Sequence, residues 1–178
     1  MTSGRVITFQ VVRWLLVGMI AFAPGCDVVF GIEPRACETS NPGYVKVPGL
    51  SRDSRYRFEA VATATWRVAE ATCAADKAHL FVPDTLDELV AMYAAMPNFS
   101  ILNDAWIGVA HDAPAGEFAF VTGALVPTFV WAPQQPIPGP GIDVGVLVRN
   151  VGVNVDPQAN ANDFICECDG EATREFAF

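Results

Sequence analysis

Basic residues are scarce in this sequence. Eleven lysines and arginines stand against 20 aspartates and glutamates, for a formal net charge of −9. Such a surface repels phosphate backbones, so nucleic acid is not an expected partner, and it disfavours electrostatic docking on anionic lipid. Histidine is scarcer still, with only His79 and His111. His111 and Asp112 do not read as a base with its orienter, because adjacent strand residues point to opposite faces. His111 reads as a solvated loop residue, and His79 as a helix-end residue that complements the helix dipole. There is no Gly-x-Ser-x-Gly, no Walker loop and no dinucleotide fingerprint, so no catalytic residues and no enzymatic activity are expected. Long apolar runs are missing too. The uncharged run Trp14–Ala23 has ten residues, against the ~20 that a spanning helix needs. No internal repeat is present.

What the N-terminus has is an export signal. Arg5 and Arg13 precede the short apolar run, which ends in Ala23-Pro24-Gly25-Cys26. A positive start, a short apolar middle and small residues at the end predict a secretory signal over residues 1–25. The end resembles the bacterial lipobox, with Ala23 and Pro24 as departures from its usual residues. That resemblance implies lipidation of Cys26, cleavage just before it, and anchoring to the bacterial cell envelope at the periplasmic or outer surface. The lipid would be the chain's sole membrane contact. Residues 26–43, with Gly31, Pro34 and Pro42, read as a tether.

The chain has five cysteines, at 26, 37, 73, 166 and 168. An odd number in an exported protein needs a reason, and lipidation of Cys26 supplies one. The remaining four allow three pairings, and an oxidising compartment makes disulfides their expected fate. Cys166-Glu167-Cys168 has one intervening residue, not the spacing of a zinc knuckle, so no metal site is assigned.

Downstream the texture is helical and then strand-like. Tyr56–Phe58 alternates as a strand would. From Thr63 to Leu80, the spacing of Trp66, Ala69, Cys73 and Leu80 predicts a helix. Thr85-Leu-Asp-Glu88 is a capping box that opens a second helix. Its apolar face is read from Leu86, Leu89, Val90, Tyr93 and Met96, and Pro97 stops it. Strands are expected at Ala105–Ala110, Glu117–Val121, Val144–Val148 and Asp163–Cys166, with a further candidate at Thr128–Trp131. Trp66, Trp106 and Trp131 are expected in the core. Residues 132–143, with four prolines and two glycines, cannot be regular structure and form a long surface loop. Loops of this kind on a rigid scaffold often carry binding sites. The order, two helices and then several strands, is an α+β layout.

From about Tyr44 to Asp169 these residues resemble a C-type-lectin-like domain. The resemblance runs through Tyr56 and Phe58, then Trp66, Ala69 and Cys73, then Leu80 and Glu88. It continues through Trp106-Ile-Gly108, Asp112, Gly116-Glu-Phe118, Thr122-Gly123 and Trp131, and ends in Phe164-Ile-Cys166-Glu167. It implies a domain over residues 44–170 with a tail at 171–178, and two helices packed on short antiparallel sheets with a long loop region, disulfide-stapled. It also implies a Cys73–Cys166 bridge, which leaves Cys37 for Cys168.

Two departures from that family bear on function. The places of an additional bridge fall near Gly145 and Ala159, and neither is cysteine. Sugar-binding members hold calcium through a carboxylate or amide, a proline and a second Asn or Asp, with a Trp-Asn-Asp run. Here the first group reads Gln135-Pro136-Ile137, with an apolar third position. The second reads Val153-Asn-Val-Asp156, without the tryptophan. Gln135, Pro136, Asn154 and Asp156, with Asp143, are the candidate ligand-binding residues, and Pro136 is expected to be cis. Calcium takes six to eight oxygens, so this set falls short and no cofactor is expected. The resemblance implies an envelope binding module that recognises a protein or glycan without calcium. A calcium-dependent carbohydrate-binding lectin and a structural subunit of an envelope complex are the alternatives.

Overall fold

The computed structural model describes residues 43–48, 54–99, 101, 104–113, 115–171 and 173–174. The expected signal segment, Cys26 and Cys37 lie outside the described residues.

Seven strands form one sheet: β1 (Arg55–Ala64), β2 (His79–Leu80), β3 (Asp104–Asp112), β4 (Glu117–Phe120), β5 (Ile142–Val148), β6 (Gly152–Pro157) and β7 (Asn162–Cys168). The path runs β1-β7-β3-β5-β6, with β2 paired to β7 and β4 to β3. All pairs are antiparallel except β3 with β7, so the sheet is mixed rather than a set of antiparallel ones. Strand β7 pairs with β1, β2 and β3, and its Phe164, Ile165, Cys166, Glu167 and Cys168 are all buried.

Among the described residues, two helices, α1 (Trp66–Ala75) and α2 (Leu86–Ala95), complete the α+β layout. Helix α1 buries Trp66, Ala69 and Cys73, the stripe that its spacing predicts. It is shorter than expected at both ends. Thr63 and Ala64 belong to β1. At the other end Lys77 turns to φ 59°, and the amides of Lys77 and Ala78 bond back to the carbonyls of Ala74 and Cys73. That turn ends the helix and frees His79 and Leu80 to pair with β7.

Helix α2 opens at Thr85, whose side chain accepts from the Glu88 amide at 3.2 Å. Its buried face is Glu88, Leu89, Met92 and Ala95. The expected face was partly wrong: Leu86 and Val90 are 54% and 55% exposed. The stripe rotates because Glu88 finds buried partners and so takes an inward position that apolar periodicity would deny it.

Cys73 and Cys166 are disulfide-bonded and clip α1 to β7. Cys168 is disulfide-bonded as well; its expected partner, Cys37, lies outside the described residues. Indole N–H groups tie the layers further. Trp66 Nε1 donates to the Ile107 carbonyl at 2.9 Å, and Trp106 Nε1 to the Ala64 carbonyl at 2.7 Å. Gly108 is required by close approach: a Cβ there would lie 2.6 Å from the Leu80 carbonyl oxygen and 2.7 Å from a Val121 methyl. Among the described residues, no helix is long and apolar enough to cross a membrane.

The strand expected at Thr128–Trp131 is a 3₁₀ turn, Thr128–Val130, with one bridge from Trp131 to Val153. Strand β6, which the sequence offered only as a ligand region, pairs along its length with β5.

Candidate functional site

Among the described residues, two of the places where chemistry-bearing side chains gather bear on function. The first is a cleft of about 370 Å³ beside the long loop. Strand β4 sets Phe118 directly across from His111 of β3, with ring centroids 5.0 Å apart. The Phe118 ring meets Trp131 edge-on at 5.2 Å. Gly116, Glu117, Leu125, Val126, Pro136 and Pro138 complete the lining. Leu125 is 65% exposed, and Ile137, between the two loop prolines, is 58% exposed. An aromatic, proline-edged hollow with an exposed apolar rim suits ligand contact better than bare solvent. His111 is therefore not a solvated loop residue but part of a strand and of the cleft wall, and Trp131 is half-buried rather than deep in the core.

The loop that carries the prolines is pinned. The Ala132 amide donates to the Val153 carbonyl at 3.0 Å. The Gln135–Pro136 peptide is cis, as expected. Gln135 Oε1 accepts from the Ile137 amide at 3.1 Å and from the Val155 amide at 3.4 Å. The loop is thereby fastened to β6.

Those bonds bear on whether this donor set fits calcium. The structure brings Gln135 up against the strand that carries Asn154 and Asp156. The Gln135 oxygen, however, is spent on two backbone amides. Asp156 Oδ2 accepts from Asn160 Nδ2 at 3.0 Å. Asp143 is the extra residue of a bulge between the pairs Ile142–Pro157 and Val144–Asp156. Ile137 offers no oxygen. The residues present do not fit a calcium ion, which needs six to eight oxygens turned toward one point. Pro136 alone of the expected ligand-binding residues lines the cleft.

The second place is a buried polar row across the sheet. Glu167 of β7 has Tyr56 of β1 and His79 of β2 as its cross-strand neighbours. Tyr56 donates to Glu88 Oε1 at 2.6 Å, and the other Glu88 oxygen accepts from the Asp84 amide at 3.1 Å. Glu167 Oε2 accepts from the Val82 amide at 3.0 Å. His79 Nδ1 sits 2.8 Å from the Leu80 carbonyl and Nε2 3.1 Å from Asp169 Oδ1. Burial pushes the Glu167 carboxyl up to about 8, and the nearby Glu88 carboxyl acts in the same direction. At His79 burial acts downward. The Asp169 hydrogen bond and the Glu167 charge outweigh it and raise the imidazole to about 9. His79 is thus a buried strand residue in a hydrogen-bonded row, not a dipole partner at a helix end.

The cleft was not legible as a site. Its aromatic members come from β3, β4 and the 3₁₀ turn, and only pairing of the strands brings them together. The usable signal was Trp131 standing immediately before the proline-rich loop.

No protein-family model and no curated protein matches the sequence. Solved structures are. The mouse scavenger receptor C-type lectin carbohydrate-recognition domain superposes with a TM-score of 0.63 at 22% identity, over 75% of this chain and 99% of that one. The calcium-independent C-type lectin SPL-2 from Saxidomus purpuratus gives 0.61 at 18% identity, over 72% and 92%. A calcium-independent type II antifreeze protein gives 0.56 at 22% identity, over 70% and 94%. These likenesses, with the two helices, the mixed sheet and the Cys73–Cys166 bridge, show that the chain folds as a C-type-lectin-like domain.

Proposed function

We propose that this chain is an exported, lipid-anchored binding module that takes a protein ligand at the Phe118–Trp131 cleft without calcium. The cleft itself carries the reading. It is an aromatic hollow of about 370 Å³ with an exposed apolar rim, the size and character of a socket for an anchor side chain. The commitment of Gln135 to backbone amides supports a calcium-free mode. Export and lipidation at Cys26 rest on the sequence of residues 1–26, and place the ligand at the bacterial envelope.

A glycan is the second reading. The half-buried Trp131 and Phe118 rings, with Glu117 and His111 beside them, offer a stacking face and polar groups suited to a sugar. The neighbours described as lectin domains are compatible with it.

The test is native-envelope cross-linking in parallel with a glycan array, each run with calcium and with chelator, on the wild-type chain and on Trp131→Ala. A partner captured equally in both conditions and lost with Trp131→Ala is the expected result. Capture that Trp131→Ala leaves intact would refute the cleft, and capture that needs calcium would refute the mode. Array binding that Trp131→Ala abolishes would decide for the glycan.

A further inference from the structure

We propose that His79, Glu167 and Asp169 form a binding site for a divalent transition-metal ion of the zinc class. One ligand atom from each of the three lies within 4.8 Å of the others. The strand register sets this up. His79 and Glu167 are direct cross-strand partners, and Asp169 stands two residues beyond Glu167. Asp169 stands in the bend just past β7, where its Oδ1 comes within 3.1 Å of His79 Nε2.

Two features point to a metal and not merely to clustered charge. The first is Glu167. It is 1% exposed, Oε2 accepts from the Val82 amide, and Oε1 is buried with no hydrogen-bond partner. A buried oxygen left without a donor is costly, and a bound cation would satisfy it. The second is the orientation of His79. Nδ1 lies 2.8 Å from the Leu80 carbonyl, which can only accept, so Nδ1 carries the proton and donates it. That bond commits Nδ1 and leaves Nε2, which donates to Asp169 Oδ1, as the nitrogen a metal would take on displacing its proton, the usual arrangement of a metal-bound histidine. Nε2 and Asp169 Oδ1 are 3.1 Å apart, and Oδ1 also accepts from the Glu171 amide at 2.8 Å. Two ligands at ~2.0–2.1 Å from a tetrahedral ion would stand about 3.3 Å apart.

The donor chemistry selects the ion. One imidazole and two carboxylates balance a dication's charge. Calcium prefers a larger, all-oxygen shell, whereas a nitrogen-plus-oxygen set of three with one open position suits zinc. Thiolates do not take part, since Cys166 and Cys168 are both disulfide-bonded. Glu88 is occupied by the Tyr56 hydroxyl and the Asp84 amide. The Asp169 side chain is 9% exposed, against 1% for His79, so the ion would enter from the Asp169 side with water as its fourth ligand.

The alternative occupants are protons, on His79 and on Glu167, and metal titration separates the two. The full chain, oxidised and stripped with chelator, is titrated with zinc against a chromogenic competitor, and with cobalt followed by visible absorption. The expected result is one equivalent bound with a micromolar or tighter Kd. The cobalt spectrum should be that of a four- or five-coordinate nitrogen–oxygen site without thiolate bands, and the melting temperature should rise. Glu167→Gln and Asp169→Asn should each weaken binding at least tenfold, and His79→Gln should abolish it. Asp169 lies at the strand end, so its variant keeps a readout should the buried variants fail to fold. Absence of saturable binding by the wild-type chain overturns the proposal. So does binding that every folded variant retains unchanged.

Discussion

The Tyr56 hydroxyl donates to Glu88 Oε1 over 2.6 Å, and this bond joins the outer strand β1 to helix α2. Both residues are buried, and the two Glu88 oxygens are shared between Tyr56 and the backbone of the turn before α2. Burial first, and then the Glu167 charge, hold the Tyr56 hydroxyl far above its ordinary titration range, so it remains a donor at any working pH.

Tyr56→Phe should therefore destabilise the protein by about 1.5–3 kcal/mol, the range for a hydrogen bond to a carboxyl group whose partner is left buried. The ring itself stays in place against Phe81, which it meets edge-on at 5.8 Å. Urea unfolding of the two proteins measures the difference. A loss below roughly 0.5 kcal/mol would show that the hydroxyl contributes nothing beyond packing.

The Cys73–Cys166 bridge closes 93 residues of chain. In the chain-entropy model a loop of that length contributes roughly 4–5 kcal/mol, and loss of native bridges costs about 2–5 kcal/mol. The double variant Cys73→Ala, Cys166→Ala should lose stability in that range while keeping its secondary structure, because both positions are buried in the core and alanine fits them. Guanidinium unfolding with circular dichroism reads both quantities. An unchanged midpoint would mean that core packing alone holds α1 on β7.

Much of the scaffold was legible in the sequence because local rules and burial agreed there. Trp66, Ala69 and Cys73 keep helical spacing and are buried together. Trp106-Ile-Gly108 sits in β3, and Gly108 is forced by the 2.6 Å approach to the Leu80 carbonyl. Reading failed where tertiary contacts overrule pattern. Glu88 looked like a cap alone, yet it turns inward because Tyr56 and the Asp84 amide satisfy it, which leaves Leu86 and Val90 outside. Val153–Asp156 looked like a depleted ligand run, yet it alternates because it is β6. His79 looked like a helix end, because nothing local says that Lys77 takes a left-handed turn and delivers it to β7.

The missing second bridge has a packing reason. A Cβ at Gly145 would lie 2.5 Å from the Val109 Cβ and 3.1 Å from a Val153 methyl. A Cβ is not a flexible end that can swing aside. Gly145→Ala should then cost about 1–3 kcal/mol through overpacking. Thermal melts of Gly145→Ala beside the exposed control Gly116→Ala, which meets nothing within 4 Å but has φ 73°, separate crowding from backbone strain. A melt of Gly145→Ala unchanged from the wild type would refute the packing argument.

The same loop chemistry predicts how hard a calcium site would be to rebuild. Position 137 is where an oxygen is missing, so Ile137→Asn is the obvious repair. It should fail. A carbonyl oxygen has two lone pairs, and those of Gln135 Oε1 already face the amides of residue 137 and Val155. Turning that oxygen toward a cation would take the acceptor from the part-buried Val155 amide, while the exposed Ile137 amide would turn to water. Asp156 is likewise held by Asn160. Calorimetry of the wild-type chain and of Ile137→Asn should give no saturable calcium heat in either. A clear heat in Ile137→Asn alone would mean that the loop yields more easily than its hydrogen bonds imply. A clear heat in both would mean that a calcium site exists that needs no oxygen at position 137, and the calcium-free mode proposed for this cleft would fall with it.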